Sequence, residues 1–183
     1  MTNILSTDKL YWKHKPKLFV LTDERVVLET EPFSSLHGSS NKDAIELIYP
    51  PQDSFMLHAK CEFVFNNTFD QCGLVIYEGK KRKAIVGVEA YDEEISKLQC
   101  VVYHDEVGDS STRDIGQKIS CIHYRVWARG GAIRVQYSFT GRRYSDLRSF
   151  RIGKNVEIGL FACSPTNSIF DCTFSELECE EEK

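Results

Sequence analysis

Two alternating runs separated by a Gly-Gly pair constrain the fold of this chain more than any other feature. Residues 121–139 read CIHYRVWARGGAIRVQYSF. In the first run Ile122, Tyr124, Val126 and Ala128 share one side, while His123, Arg125, Trp127 and Arg129 share the other. The second run sets Ile133, Val135, Tyr137 and Phe139 against Arg134, Gln136 and Ser138. Neighbouring side chains of a strand point to opposite faces, so period two with Gly130-Gly131 between the runs predicts an antiparallel hairpin. One face suits a core. The other collects Arg, His and Trp, which calls for a reason.

The remaining sequence reads as more of the same. Strands are predicted over 18–21, 26–29, 44–49, 55–65, 72–77, 84–91, 98–103, 147–152, 156–162 and 169–174, with turn signals between them. No window has a long helical period, although Glu93 to Leu98 could form one turn. The tail, residues 178–183, is acidic and is expected to fray. With 183 residues and no composition break, the chain is expected to be one domain over 1–183. Many short strands at this spacing imply a sandwich of two antiparallel sheets.

Composition excludes several partners. A formal net charge of −4 argues against nucleic acid and against anionic membranes. No apolar run approaches the roughly 20 residues that a membrane helix needs, and residues 1–17 carry no apolar leader segment. Seven cysteines occur without a C-x-x-C pair. Cys61, Cys72 and Cys172 occupy apolar positions of alternating runs, so they read as small buried hydrophobes and point to a reducing cytoplasm. No cofactor or metal is expected.

Two packed sheets bury one alternating set and expose the other. If one sheet is curved, its outward residues line a groove. The expected ligand-binding set is Tyr77, Glu89, Tyr91, His123, Arg125, Trp127, Arg134 and Gln136. Rings stack on the C–H faces of a pyranose, and the polar members hydrogen-bond to hydroxyls. The same residues also suit cross-strand ion pairs on a solvated sheet.

Several segments further resemble a known family. Residues 69–76 (FDQCGLVI) are similar to a Tyr-Asp-Gln-Ala-Gly-Leu-aliphatic-Val element, and Gly87-Val88-Glu89 to a Gly-aliphatic-Glu element. Residues 159–165 (GLFACSP) are similar to a Gly-x-Phe-Ala-x-Ser-Pro signature. These belong to a domain-of-unknown-function family that includes the fungal regulator of enolase protein and relatives of the C-terminal domain of family-43 β-xylosidases. The resemblance spans about Trp12 to Leu177 and implies a concanavalin A-like jelly roll. It also implies that Asp70 and Gln71 order a loop at the groove rim. The chain departs from the family's tryptophans at Lys83, at Asp109-Ser110-Ser111, at His123 and at Tyr144, and has Trp127 where a polar residue is common.

Catalysis finds little support in the sequence. A glycosidase needs two carboxyl groups about 5 to 5.5 Å apart for retention. Glu89 with Glu93, or Glu89 with Glu62, are the candidates. Cys121 with His123 could be a nucleophile and base or metal ligands, and Asp105, Glu106 and Asp109 a calcium loop. The run Lys80 to Lys83 reads as a charged hairpin loop. The sequence therefore leads to a non-catalytic, lectin-like β-sandwich that binds a carbohydrate or sugar derivative. A module that regulates a carbohydrate-metabolism enzyme is the alternative, and a weak glycoside hydrolase the third reading.

Overall fold

The structure is a computed structural model that describes residues 1–37, 43–51, 53–80, 82–105 and 107–181. Among these residues the chain is almost entirely strand. In order these are β1 (Thr2–Asn3), β2 (Tyr11–His14), β3 (Phe19–Leu21), β4 (Arg25–Glu29) and β5 (Ile45–Tyr49). Next come β6 (Phe55–Phe63), β7 (Gln71–Glu78), β8 (Arg82–Ala90), β9 (Ile95–His104) and β10 (Val107–Gly116). The last are β11 (Cys121–Arg129), β12 (Ala132–Ser138), β13 (Ser145–Arg151), β14 (Glu157–Cys163) and β15 (Asp171–Glu181). A single 3₁₀ turn, Ile4–Ser6, is capped by the Asn3 side chain, which accepts from the Leu5 amide at 3.0 Å. Among the described residues no helix is long and apolar enough to cross a membrane.

Two antiparallel sheets result. Sheet 1 runs β13-β12-β11-β6-β15-β4-β3, with β1 added to β15, and sheet 2 runs β10-β9-β8-β7-β14-β5-β2. The expected hairpin is β11–β12, with Val126 opposite Val135 and Trp127 opposite Arg134. Alternation along β6 and β11 puts Leu57, Ala59, Cys61, Ile122, Tyr124 and Val126 between the sheets. There they meet Leu74, Ile76, Val86, Val88, Leu98 and Leu160 of sheet 2. Burying such side chains contributes roughly 1.5–3 kcal/mol each. Cys61, Cys72 and Cys172 are in this core, as their parity predicts, and every cysteine is a free thiol.

A second cluster explains why β5, β7, β9 and β14 are apolar on both faces. On the outer face of sheet 2, Ile48, Val75, Ile85, Val101 and Phe161 are covered by Leu36 and Ala44. The segment preceding Leu36 is pinned to β14 and the loop after it. Ser34 N–H donates to the Ser164 carbonyl at 3.0 Å, Phe33 N–H to the Thr166 carbonyl at 3.0 Å, and the Thr30 and Ser164 hydroxyls are 2.7 Å apart. The Lys83 ammonium donates to the Leu36 carbonyl at 2.5 Å. Arg82 and Lys83 belong to β8 and not to the loop expected over Lys80 to Lys83; Lys81 of the same run is outside the described residues.

Three expectations change. As far as Glu181 the acidic tail does not fray, residues 182–183 lying outside the described residues: Glu178, Cys179, Glu180 and Glu181 pair with His58, Leu57, Met56 and Phe55, and Cys179 is buried. β10 was not expected, because VGDSSTRDIG has few apolar residues; it is an edge strand in which Ile115 alone is buried. The turn expected over Glu93–Leu98 is not helical. Asp92 Oδ1 accepts from the Glu94 and Ile95 amides at 2.9 and 2.8 Å, which turns the chain into β9.

Tyr124 sits wholly within the core, and its hydroxyl has no hydrogen-bond partner there. An unsatisfied buried hydroxyl costs about 1–3 kcal/mol. Tyr124→Phe is therefore expected to raise stability by about 1 kcal/mol, measured as a higher denaturation midpoint at unchanged slope.

Candidate functional site

The eight residues expected to bind ligand fall on two opposite surfaces. Tyr77 and Glu89 lie on the outer face of sheet 2, and Tyr91 follows at the end of β8. His123, Arg125, Trp127, Arg134 and Gln136 lie on the outer face of sheet 1. A strand's alternation tells which residues share its face but not which sheet the strand joins. No single groove holds them all.

On sheet 1 the polar row is largely self-paired. Arg134 grips Asp146 with two bonds, Nε to Oδ1 at 2.7 Å and Nη2 to Oδ2 at 2.9 Å, and Gln136 donates to the same Oδ1 at 3.1 Å. That pairing holds the Asp146 carboxyl below its ordinary range. The Arg125 guanidinium lies 3.9 Å from the centre of the Tyr144 ring. His123 is buried and stacked on His58, with ring centres 5.8 Å apart, and the Tyr144 hydroxyl is hydrogen-bonded to the His58 ring. Burial, and then His123, hold the His58 imidazole below its ordinary pKa. Trp127 is the exposed ring of this row, beside a shallow depression of about 470 Å³ shared with Arg134, which is exposed as well, and Phe150.

On sheet 2 Tyr77 is not free to stack on a ligand. It is buried, its hydroxyl donates to the Glu46 carboxylate, and the Lys13 ammonium sits 3.3 Å from its ring centre. Tyr77 pairs with Lys83 and Gln71 pairs with Glu89, which sets Tyr77 and Glu89 at opposite ends of the β7–β8 ladder. At the strand rise of about 3.3 Å per residue they are roughly 20 Å apart.

The Glu89 end is organised differently. β7, β8 and β9 bring Gln71, Glu89 and residues 97–99 together in register. Gln71 Nε2 donates to Glu89 Oε2 at 3.3 Å, and Gln99 Nε2 donates to the same oxygen at 3.4 Å. His37 then links this row to Tyr103: His37 Nε2 is 2.7 Å from Gln71 Oε1, and His37 Nδ1 is 2.9 Å from the Tyr103 hydroxyl. Because the Gln71 oxygen can only accept, Nε2 must carry the proton and Nδ1 must receive from Tyr103. Hydrogen bonds thus run one way, Tyr103 to His37 to Gln71 to Glu89. Burial keeps the His37 imidazole below its ordinary pKa, which suits this neutral tautomer.

Glu89 is raised above the ordinary carboxylate range chiefly by burial, against the opposing pull of Gln99 and Lys97. Among the described residues no cation lies within ion-pair distance of it. Two residues on, Tyr91 is 44% exposed, enough of a ring to meet a ligand, with the Lys97 ammonium 4.0 Å from its centre. Tyr91 also borders a cleft of about 410 Å³ with Phe65, Asn66 and Gln117. Gln99 and His37 are not among the expected residues, and Gln71 is expected only to order a loop at the groove rim. Outward parity with Glu89 could have found the two glutamines, whereas nothing marks a loop histidine.

The catalytic pairings considered from sequence are not assembled. Glu62 is on β6 of sheet 1 and Glu89 on β8 of sheet 2, so they are not on neighbouring strands. Glu93 is exposed in the bend beyond β8. Burial raises the Cys121 thiol, opposite to what a nucleophile needs. The Asp109 carboxylate is taken by Arg148, Nη2 to Oδ2 at 2.5 Å, in a contact that closes the sandwich edge. Asp105 is a turn residue at φ 56°, and Glu106 lies outside the described residues. Asp70 does order a loop, accepting at Oδ2 from the Asn66 and Asn67 amides at 3.0 and 2.9 Å.

The family model described as "Protein of unknown function (DUF1349)" matches residues 12–182. The chain belongs to the DUF1349 family. Comparison with curated proteins gives no match. Among solved structures, this DUF1349 chain is similar to a functionally unknown protein from Saccharomyces cerevisiae. The TM-score is 0.88 at 21% identity, over 98% of both chains. It also resembles a xylan beta-1,4-xylosidase from Bacillus halodurans C-125, TM-score 0.70 at 13% identity, covering 96% of this chain and 40% of that one. An alginate lyase from Klebsiella pneumoniae gives TM-score 0.61 at 12% identity, over 92% of this chain and 86% of that one. At these identities the likeness is one of fold, and it agrees with the concanavalin A-like architecture.

Proposed function

We propose that this protein binds a carbohydrate or sugar derivative at the Glu89 end of sheet 2. The carrying observation is the one-way hydrogen-bond chain that ends on a half-buried carboxylate beside an exposed tyrosine, with no cation at ion-pair distance among the described residues. Glu89, held by the buried Gln71 and Gln99, offers a fixed carboxylate to ligand hydroxyls, and Tyr91 offers an apolar ring face. The likeness of fold to a xylosidase domain and an alginate lyase supports a sugar-related role for such a surface. Seven free thiols support residence in a reducing compartment.

The test is a thermal-shift and calorimetric screen with neutral and acidic oligosaccharides, since a ligand that binds the folded state raises the melting point. Glu89→Gln and Tyr91→Ala should each abolish the shift, and Trp127→Ala should leave it unchanged. If no saccharide binds at millimolar concentration, the proposal fails. If Trp127→Ala removes binding and Glu89→Gln does not, the site belongs to sheet 1.

The same carboxylate sets a pH signature. A buried acid whose folded pKa is raised has no effect on stability while protonated in both states. As pH rises from the ordinary carboxylate value through the raised one, the folded state resists ionisation and stability is lost. Glu89→Gln removes that loss. The variant should melt higher than wild type at neutral pH, and the difference should vanish in acid, as a pH series of melting curves will show.

A further inference from the structure

A second cluster, on the opposite surface, has a different chemistry. His58 of β6, His123 of β11 and Glu176 of β15 each place a ligating atom within 4.8 Å of the other two. The three strands are neighbours in sheet 1, and a bulge between Ser175 and Glu178 sets Glu176 out of the ladder at φ 51°. A bulge of this kind re-aims a side chain, and here it turns the carboxylate toward the imidazoles. Glu176 Oε2 is 3.6 Å from His123 Nδ1.

His123 is 8% exposed, and its Nδ1 is buried with no hydrogen-bond partner. Native proteins seldom leave such an atom unsatisfied without a use for it. The Thr140–Gly141 turn closes one side: a Cβ on Gly141 would stand 2.9 Å from His123 Cε1, so the backbone lies directly against the ring. The remaining approach to Nδ1 is from the side of His58 and Glu176.

We propose that His58, His123 and Glu176 bind one divalent transition ion of the zinc type. Two imidazoles and a carboxylate are a borderline donor set, suited to zinc, cobalt or nickel over magnesium and calcium. Donors around a tetrahedral zinc stand about 3.4 Å apart, given bonds of about 2.0–2.2 Å. Glu176 Oε2 and His123 Nδ1, 3.6 Å apart, are already close to that spacing, and Glu176 is exposed. The fourth position is left to solvent or to a ligand hydroxyl, next to Tyr144.

The test uses the full chain after chelator treatment, titrated with Co²⁺ followed by its visible absorption, and with Zn²⁺ in equilibrium dialysis. One equivalent per chain should bind, with a cobalt spectrum of tetrahedral intensity. Glu176→Gln should weaken binding by at least about tenfold. Because Glu176 is a surface carboxylate, that variant keeps its fold, and His58→Gln provides a second ligand deletion. Cys121→Ser should bind as wild type does, and so should Glu89→Gln, which separates this site from the sugar-binding proposal. No saturable binding, or unchanged binding in Glu176→Gln, overturns the inference. Loss of binding in Cys121→Ser reassigns the metal to a thiol and overturns it too.

Discussion

Gly73→Ala should cost at least about 3 kcal/mol, enough to unfold much of the protein at 37 °C. Gly73 and Gly87 face each other across β7 and β8, and Phe161 of β14 pairs with Gly73 from the other side. A Cβ on Gly73 would lie 2.2 Å from the Val86 carbonyl oxygen and 2.5 Å from the Gly87 Cα. Both neighbours are backbone in the middle of a sheet, so neither can yield without breaking the β7–β8 ladder. Phe161 is fully buried over the pair. Gly79→Ala is the control: its φ is +61°, and nothing lies within 4 Å of an added Cβ. It should cost only the left-handed backbone penalty, about 1–2 kcal/mol. Equal losses in chemical denaturation would show that conformation and not close approach governs Gly73.

Asp70→Ala is expected to cost about 3–4 kcal/mol and to loosen the loop beside Tyr91. The Asp70 side chain is fully buried, and Oδ2 accepts from two backbone amides and from the Ser168 hydroxyl at 2.9 Å. Removing it takes the partner from all three donors, of which the Ser168 hydroxyl is buried and the two amides part-buried. Ser168→Ala deletes one of the three bonds and keeps the carboxylate, so about 1 kcal/mol is expected. Hydrogen exchange at Asn66 and Asn67 reports the loop directly, and it should accelerate in Asp70→Ala more than in Ser168→Ala. Equal exchange in the two variants would remove Asp70 from its place as the loop's anchor.

How far the sequence could be read depends on the kind of information each feature needs. Alternation in residues 121–138 and 55–63 locates the hairpin and β6 and divides their faces correctly, because a strand's sidedness is local, whereas Phe139, expected on the core side, lies beyond β12 and is exposed. β10 escaped because its outward residues face solvent and its sequence offers a single buried aliphatic, Ile115. The tail was misjudged because Glu178, Glu180 and Glu181 dominate its composition, while the alternation that buries Leu177 and Cys179 passes through a bulge. Sheet membership is not local at all. Tyr77, Glu89 and Trp127 are all outward, as parity requires, yet pairing decides that Trp127 lies on the far side of the molecule from Glu89. His37 reaches the candidate site from a covering segment with no periodicity to betray it.

The position of β15 carries one more consequence. It lies between β6 and β4, so residues 171–181 fill the middle of a sheet whose other strands were all made earlier. Until that segment leaves the ribosome, β6 and β4 present open edges to other nascent strands, with Leu57, Cys61 and Val26 uncovered behind them. Such edges invite improper pairing. The acidic residues that made the segment look expendable are carried by the strand that completes the sheet, and their mutual repulsion would keep it from aggregating with copies of itself before it docks.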